Sequence, residues 1–189
     1  MTSAVPHYLH TFREYALIEE FSGVKHEYLG GQVIAMAGAT AEHVALCAQL
    51  IARLVGLTAD SPCRVFGMDL GIRVRATGLA TYPDVAVICG PLQTDAESKL
   101  HYTNPSVVFE VLSPATESYD RGEKREHYQQ IESLREYVIL AQDRPYAEKW
   151  TRGASGDWQH EVIESDGAIN IEAVGGSIAL AELYRSARL

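Results

Sequence analysis

Two carboxylates stand where carboxylates are costly. Asp84 lies in Tyr82-Pro83-Asp84-Val85-Ala86-Val87-Ile88-Cys89, and Glu110 lies in Val107-Val108-Phe109-Glu110-Val111-Leu112. Both runs read as β-strands. An acid among Val, Ile and Phe must leave water, which is tolerated when it is paired, hydrogen-bonded or bound to a metal. Adjacent strands lie about 4.8 Å apart, so two acids at matching heights on one face can share a divalent cation. Parity allows it: Tyr82, Asp84 and Ala86 share one face, as do Val108, Glu110 and Leu112. A basic residue follows at Lys124, within Tyr119-Asp120-Arg121-Gly122-Glu123-Lys124-Arg125-Glu126-His127-Tyr128. Asp, Glu and Lys around one ion suit phosphodiester hydrolysis. Magnesium (or manganese) takes oxygen ligands and keeps several waters, so one or two carboxylates suffice. The ion would polarise the scissile phosphate and acidify a bound water. Lys124 would orient or activate that water, or offset the charge that develops on phosphorus.

The elements that must position these groups follow from periodicity. Phe12, Tyr15, Ala16, Ile18 and Phe21 have helical spacing over residues 11–21. Residues 24–37 read as a hairpin turning at Gly30-Gly31. Thr40 caps a predicted helix over residues 40–57 with Glu42 in its first turn and a wide apolar face from Val44 to Val55. Three strands are expected next, over residues 63–74, 81–89 and 106–113, with a polar loop at residues 90–104. A second helix over residues 119–131 and a strand over residues 136–141 follow. The near-continuous apolar strands imply a sheet covered on both faces. The tail reads as a meander (residues 147–151, 159–164 and 169–173) and a short helix over residues 180–187, punctuated by Gly153, Gly156 and Gly167.

Composition narrows the class. The chain has 189 residues and 47% hydrophobic residues, with mean hydropathy -0.09, values that fit one globular domain over residues 1–189. No uninterrupted apolar run reaches the roughly 18 residues of a bilayer span, and residues 1–10 lack a basic start followed by an apolar stretch. The expectation is a cytoplasmic protein without a membrane partner. The three cysteines, Cys47, Cys63 and Cys89, are far apart and odd in number, and are expected as reduced thiols. The net charge of -9 argues against a generic nucleic-acid binder. It leaves room for an acidic metal site beside a local basic stripe, with Arg64, Arg73, Arg75, Arg121, Lys124 and Arg125 as candidates.

The order of elements, with Pro83-Asp84 followed by Glu110-Val111-Leu112, resembles the PD-(D/E)XK, restriction-endonuclease-like superfamily. More closely, the chain resembles the Uma family of restriction endonucleases. The resemblance rests on Glu27-Tyr28-Leu29-Gly30-Gly31-Gln32-Val33, Met36-Ala37-Gly38-Ala39-Thr40-Ala41-Glu42-His43, Tyr82-Pro83-Asp84-Val85, Glu110-Val111-Leu112-Ser113-Pro114-Ala115-Thr116-Glu117, Tyr119-Asp120-Arg121-Gly122-Glu123-Lys124 and Leu134-Arg135-Glu136-Tyr137-Val138. It implies an α/β fold with a restriction-endonuclease-like core (helix, three strands, helix, strand), an N-terminal helix and hairpin, and a C-terminal β meander. It also implies a metal-dependent endonuclease acting on nucleic acid, DNA by default, with Asp84, Glu110, Lys124 and Glu42 as catalytic residues. Asp84, Glu110 and the Val111 carbonyl would hold the metal. One departure stands out: Leu112 occupies the position of the motif lysine, which Lys124 would replace from the next helix, since a long stem can reach the same point. The departure and the acidic charge also fit a non-catalytic module that kept the fold. Asp69 and Glu27 are further ligand candidates. His43 is either a phosphate contact or a structural histidine, and Tyr128 either packs or touches substrate. Two-fold symmetry suits double-strand cutting, so a homodimer is expected.

Overall fold

The computed structural model describes residues 8–187, so residues 1–7 lie outside it, and with them most of the N-terminal segment read for a leader. Helix α1 (Phe12–Phe21) starts at a capping box in which Thr11 accepts from the Glu14 N–H and Glu14 accepts from the Thr11 N–H. Strands β1 (His26–Leu29) and β2 (Gln32–Ala35) turn through Gly30 and Gly31, at φ 58° and 88°, the paired left-handed geometry of a tight hairpin. Helix α2 (Ala41–Thr58) is capped by Thr40. Then come β3 (Cys63–Gly67), β4 (Gly71–Val74), β5 (Leu79–Thr81), β6 (Val85–Cys89), β7 (Thr94–Asp95), β8 (Ser98–Tyr102) and β9 (Val107–Leu112). Helices α3 (Glu117–Arg121) and α4 (Glu123–Tyr128) lead to β10 (Glu136–Ala141), β11 (Tyr146–Arg152) and β12 (Trp158–Glu164). The chain closes with β13 (Ala168–Ile171), a 3-10 turn (Glu172–Val174), β14 (Gly176–Ala179) and α5 (Leu180–Ala187).

The central sheet runs β12-β11-β10-β9-β6-β3. Only β9 and β10 are parallel in it, joined by the crossover through α3 and α4. Alternation along β9 assigns its two faces. Val107, Phe109 and Val111 pack with Leu46, Leu50 and Leu54 of α2 and Leu183 of α5. Val108 and Leu112 pack with Tyr128, Ile139 and Ile72 on the other side. A second sheet, β2-β1-β5-β4-β8-β7, covers that other side. The expected core order of helix, three strands, helix and strand is thus present as α2, β3, β6, β9, α3/α4 and β10.

Several elements differ from the sequence reading. Residues 63–74 form two strands in two sheets, β3 beside β6 and β4 beside β5, because the chain turns at Gly67 where the Leu70 N–H reaches the Gly67 carbonyl. Residues 81–89 likewise divide: β5 ends at Thr81 in one sheet and β6 starts at Val85 in the other. Pro83, which lacks an N–H, sits in the gap, so Asp84 precedes its strand. The polar segment 90–104 holds β7 and β8. The second helix breaks at Gly122, where a Cβ would meet the Ser118 carbonyl at 3.1 Å. In the tail, β11 and β12 extend the central sheet and only β13-β14 stands apart. Cys63 and Cys89, partners in the β3–β6 register, form a disulfide, and Cys47 is the free thiol. Spacing along the chain carries no information about cross-strand register, which is what pairs them. Helix α2 has mean hydropathy 1.2 over 18 residues, long and apolar enough to cross a membrane; its Leu46, Leu50 and Leu54 are fully buried against the sheet.

Candidate active site

The β6–β9 ladder stops at Val85 opposite Phe109, one residue before Asp84. Asp84 then does what the missing strand residues would have done: its Oδ2 accepts the Val111 N–H at 2.7 Å. A strand residue turns its N–H and C=O to the same neighbour, so the Val111 carbonyl leaves on that side too. His43 Nε2, from the first turn of α2, holds Asp84 Oδ1 at 2.8 Å. The Asp84 N–H donates to Glu110 Oε2 at 3.3 Å, which brings the two strand-end acids together.

Glu110 faces α4 rather than α2, by the same alternation that buries Val108 and Leu112. Its Oε1 takes the Lys124 ammonium at 2.8 Å and the Tyr128 hydroxyl at 3.2 Å. Lys124 also meets Asp120 at 3.4 Å, one turn earlier. Asp120 is fixed from the sheet, since the Tyr137 hydroxyl donates to its carbonyl at 2.9 Å. From the second sheet, Glu27 accepts hydrogen bonds from Thr81 Oγ1 at 2.7 Å and from the Tyr119 hydroxyl. Glu110, Lys124 and Asp84 side chains are 4%, 7% and 16% exposed, so Asp84 is the most open of the three.

Acids outnumber the base here. Burial pushes Glu110 up to about 8; Lys124 opposes this, while Asp84 and Asp120 add to it. Burial alone would lower the Lys124 ammonium, but Glu110, Asp120 and Glu27 together hold it above its ordinary value and keep it charged. Neighbouring carboxylates raise Lys124 and add to the burial that raises Glu110, so a bound cation would offset charge in this cluster. The donors are carboxylate and backbone oxygens, the chemistry that hard divalent ions prefer, and the residues fit such an ion.

The sequence candidates divide. Asp84, Glu110, Val111 and Lys124 converge. Glu42 does not: it is exposed on α2, and its side chain makes no hydrogen bond or ion pair among the described residues. The helix turns His43 inward instead, one residue on and about 100° round the axis. Asp69 is exposed and bound to Lys25 at 2.7 Å. Glu27 and Tyr128 join the cluster. Asp120, Tyr119 and Thr81 were missed; Asp120 could have been found, being four residues before Lys124 on one helical face, whereas nothing local marks Tyr119 or Thr81.

Comparison with known proteins bears on the family and the fold. Residues 11–181 match the Uma2 family, described as "Putative restriction endonuclease". Two relatives from Synechocystis sp. are "Uncharacterized protein slr1290", 32% identical over 91% of this chain and 90% of its own, and "Uncharacterized protein sll1609", 30% identical over 78% and 84%. A crystal structure from Anabaena variabilis, of a "putative nuclease belonging to DUF820", superposes with TM-score 0.72 at 14% identity, covering 88% of this chain and 93% of that one. The chain belongs to the Uma2 family and has the restriction-endonuclease-like fold.

Proposed function

We propose that this protein is a metal-dependent endonuclease that hydrolyses phosphodiester bonds in DNA. One observation carries the reading: Lys124 reaches Glu110 from α4 at 2.8 Å, so the cluster has its lysine although Leu112, at the motif position, is buried in the core. Asp84 and Glu110, with the Val111 carbonyl, would hold magnesium or manganese. Bound there, the ion would supply a Lewis acid for the phosphate and a more acidic water. The chain's own groups do the rest. His43 and the Val111 N–H fix the Asp84 carboxylate, and Tyr128 fixes Glu110. Lys124 stays protonated and offers positive charge to a phosphate oxygen. A homodimer with two such sites, working in the cytoplasm, completes the proposal.

A second reading, a non-catalytic module, is favoured by the closure of the Glu110–Lys124 pair, whose side chains are 4% and 7% exposed. One assay separates the two. Supercoiled plasmid, single-stranded DNA and RNA are incubated with the purified protein in magnesium, manganese or EDTA, beside an Asp84→Ala, Glu110→Ala double variant. Metal-dependent cutting of DNA that the double variant loses supports the endonuclease. No cutting of any substrate, with no magnesium or manganese binding by calorimetry, supports the module.

A further inference from the structure

On the α2 side of Asp84 the donor chemistry changes. His43 and Cys47 stand four residues apart on α2, which places both side chains on one helical face. A ring nitrogen of His43, the Cys47 Sγ and an Asp84 carboxylate oxygen all lie within 4.8 Å of one another. Zinc takes such ligands at about 2.0–2.3 Å, so donors around one ion stand less than about 4.6 Å apart. Bringing Cys47 Sγ inward and letting His43 Nε2 and Asp84 Oδ1, 2.8 Å apart, open slightly would seat the three around one ion. Taken together the set is unlike a magnesium site, because hard cations avoid sulfur, whereas an imidazole, a thiolate and a carboxylate together select zinc or cobalt.

There is a way in and a reason for a fourth ligand. Cys47 and Asp84 both line a cavity of about 420 Å³, walled by Val44, Ala48 and Met68. An ion entering there would meet Cys47 and Asp84 first, reach His43 beside Asp84, 2.8 Å from its carboxylate, and keep water at the remaining position. Helix α2 is anchored by Leu46, Leu50 and Leu54, all fully buried, so two of the three ligands sit on a rigid element. Cys47 is not committed elsewhere: the disulfide takes Cys63 and Cys89.

We propose that His43, Cys47 and Asp84 form a transition-metal site, selective for zinc-like ions, that shares Asp84 with the carboxylate pair of Glu110. On binding, the Cys47 thiol gives its proton to solvent and the thiolate becomes a ligand. The site itself stands on these three side chains. Its consequence rests on the endonuclease reading: an ion held by His43 and Cys47 draws the Asp84 carboxylate away from Glu110, so zinc inhibits cutting.

Cobalt(II) is the probe, titrated into the metal-free protein and followed by absorbance. The expected result is a thiolate-to-cobalt charge-transfer band that saturates near one equivalent and is abolished by zinc. Cys47→Ser should remove the band, and His43→Gln and Asp84→Asn should each weaken cobalt binding on the order of tenfold or more. A Cys63→Ser, Cys89→Ser variant should keep the band. Far-UV circular dichroism checks that each variant is folded. A folded wild-type protein with no band overturns the site. So does a band that survives Cys47→Ser, or one that depends on Cys63 and Cys89. If cutting is found, the ratio of rates with and without zinc is compared in the wild type and Cys47→Ser, and inhibition should be confined to the wild type. Failure of the cobalt titration with intact cutting would sink this site and leave the nuclease standing. Failure of cutting with an intact cobalt band would do the reverse.

Discussion

Two buried glutamates on neighbouring strands of one sheet each pair with a lysine, and the two pairs are built differently. Glu136, at the start of β10, is fully buried and accepts the N–H groups of Glu172 and Ala173 at 3.1 and 3.0 Å. Its lysine, Lys149, stands 3.6 Å away and is itself spread over Glu161 and the Asn170 carbonyl. Glu110, on β9, has a lysine at 2.8 Å, the Tyr128 hydroxyl at 3.2 Å and one backbone donor, the Asp84 N–H at 3.3 Å. Burial raises the pKa of both glutamates; backbone N–H groups oppose this first at Glu136, while at Glu110 the Lys124 ammonium opposes it first and two more acids work against it. The lesson is one of satisfaction. Glu136 is saturated by fixed backbone donors and ties the 3-10 turn to the sheet. Glu110 is held mainly by movable side chains, with a single backbone N–H at 3.3 Å, and is surrounded by further acids, which is how a site that exchanges ligands is made.

The sharpest way to break this contrast is to replace each glutamate by its isostere. Glu110→Gln should reduce metal-dependent cutting on the order of a hundredfold or more in a protein that still folds. Glu136→Gln should leave the cutting rate near wild type and lower stability by about 1–3 kcal/mol, because an amide cannot accept from both N–H groups as a carboxylate does. Plasmid cleavage beside urea unfolding measures both. Equal loss of activity from the two folded variants would erase the distinction.

The lysines test the same contrast through stability. Lys124→Met strips Glu110 and Asp120 of their cation inside the fold, and should cost about 3–5 kcal/mol in the metal-free protein. Lys149→Met should cost less, about 1 kcal/mol, since Glu136 keeps its backbone donors and Glu161 is half exposed. A reversed order in denaturant midpoints would mean that Lys149, not Lys124, is the structural keystone.

His101 extends the contrast to a buried group satisfied by neutral partners. The Tyr15 hydroxyl donates to the His26 carbonyl at 2.7 Å and lies 3.1 Å from His101 Nε2, while Ser98 lies 2.7 Å from Nδ1. Burial, with Arg73 adding to it, lowers the His101 pKa to about 4. The folded state therefore binds fewer protons than the unfolded chain between about pH 4 and 6.5, and stability falls as pH drops through that window, by roughly 3 kcal/mol. His101→Gln should flatten that slope in unfolding midpoints collected from pH 7 to 4; an unchanged slope would assign the acid sensitivity elsewhere.

The smallest expected effects lie on the first turn of α2. Glu42→Ala should change stability by less than about 1 kcal/mol, the scale of a helix-dipole contact, and leave cutting within twofold. His43→Gln, one residue on, should slow cutting about tenfold or more by freeing the Asp84 carboxylate. Kinetics of the two variants side by side decide which residue of that turn serves the site.

The family, the succession of core elements and the converging residues Asp84, Glu110, Val111 and Lys124 were legible in the sequence because they depend on local pattern. A period of two assigns the faces of β9, and with them the side on which Glu110 is buried. A cap and a 3.6-residue period locate α2 closely. A carboxylate among β-branched residues announces an unusual environment wherever it falls. That signal did not separate function from scaffold: Glu136 opens a run, Glu136-Tyr137-Val138-Ile139-Leu140-Ala141, as apolar as the one holding Glu110.

What the tertiary structure alone decided were the partners. Residues 63–74 look like one strand because both halves are apolar, yet the halves belong to two sheets. Asp84 leaves its strand because the ladder ends at Val85, a matter of register and not of propensity. His43 displaces Glu42 because the rotation of α2 against the sheet fixes which residue of the first turn points inward. Cys63 meets Cys89 through the β3–β6 register, and Glu27 meets Tyr119 across 92 positions. Hydrophobic periodicity states that a side chain is buried, since burial depends on the residue and its element. It does not state against what, since that depends on how distant segments close their loops and stack their layers.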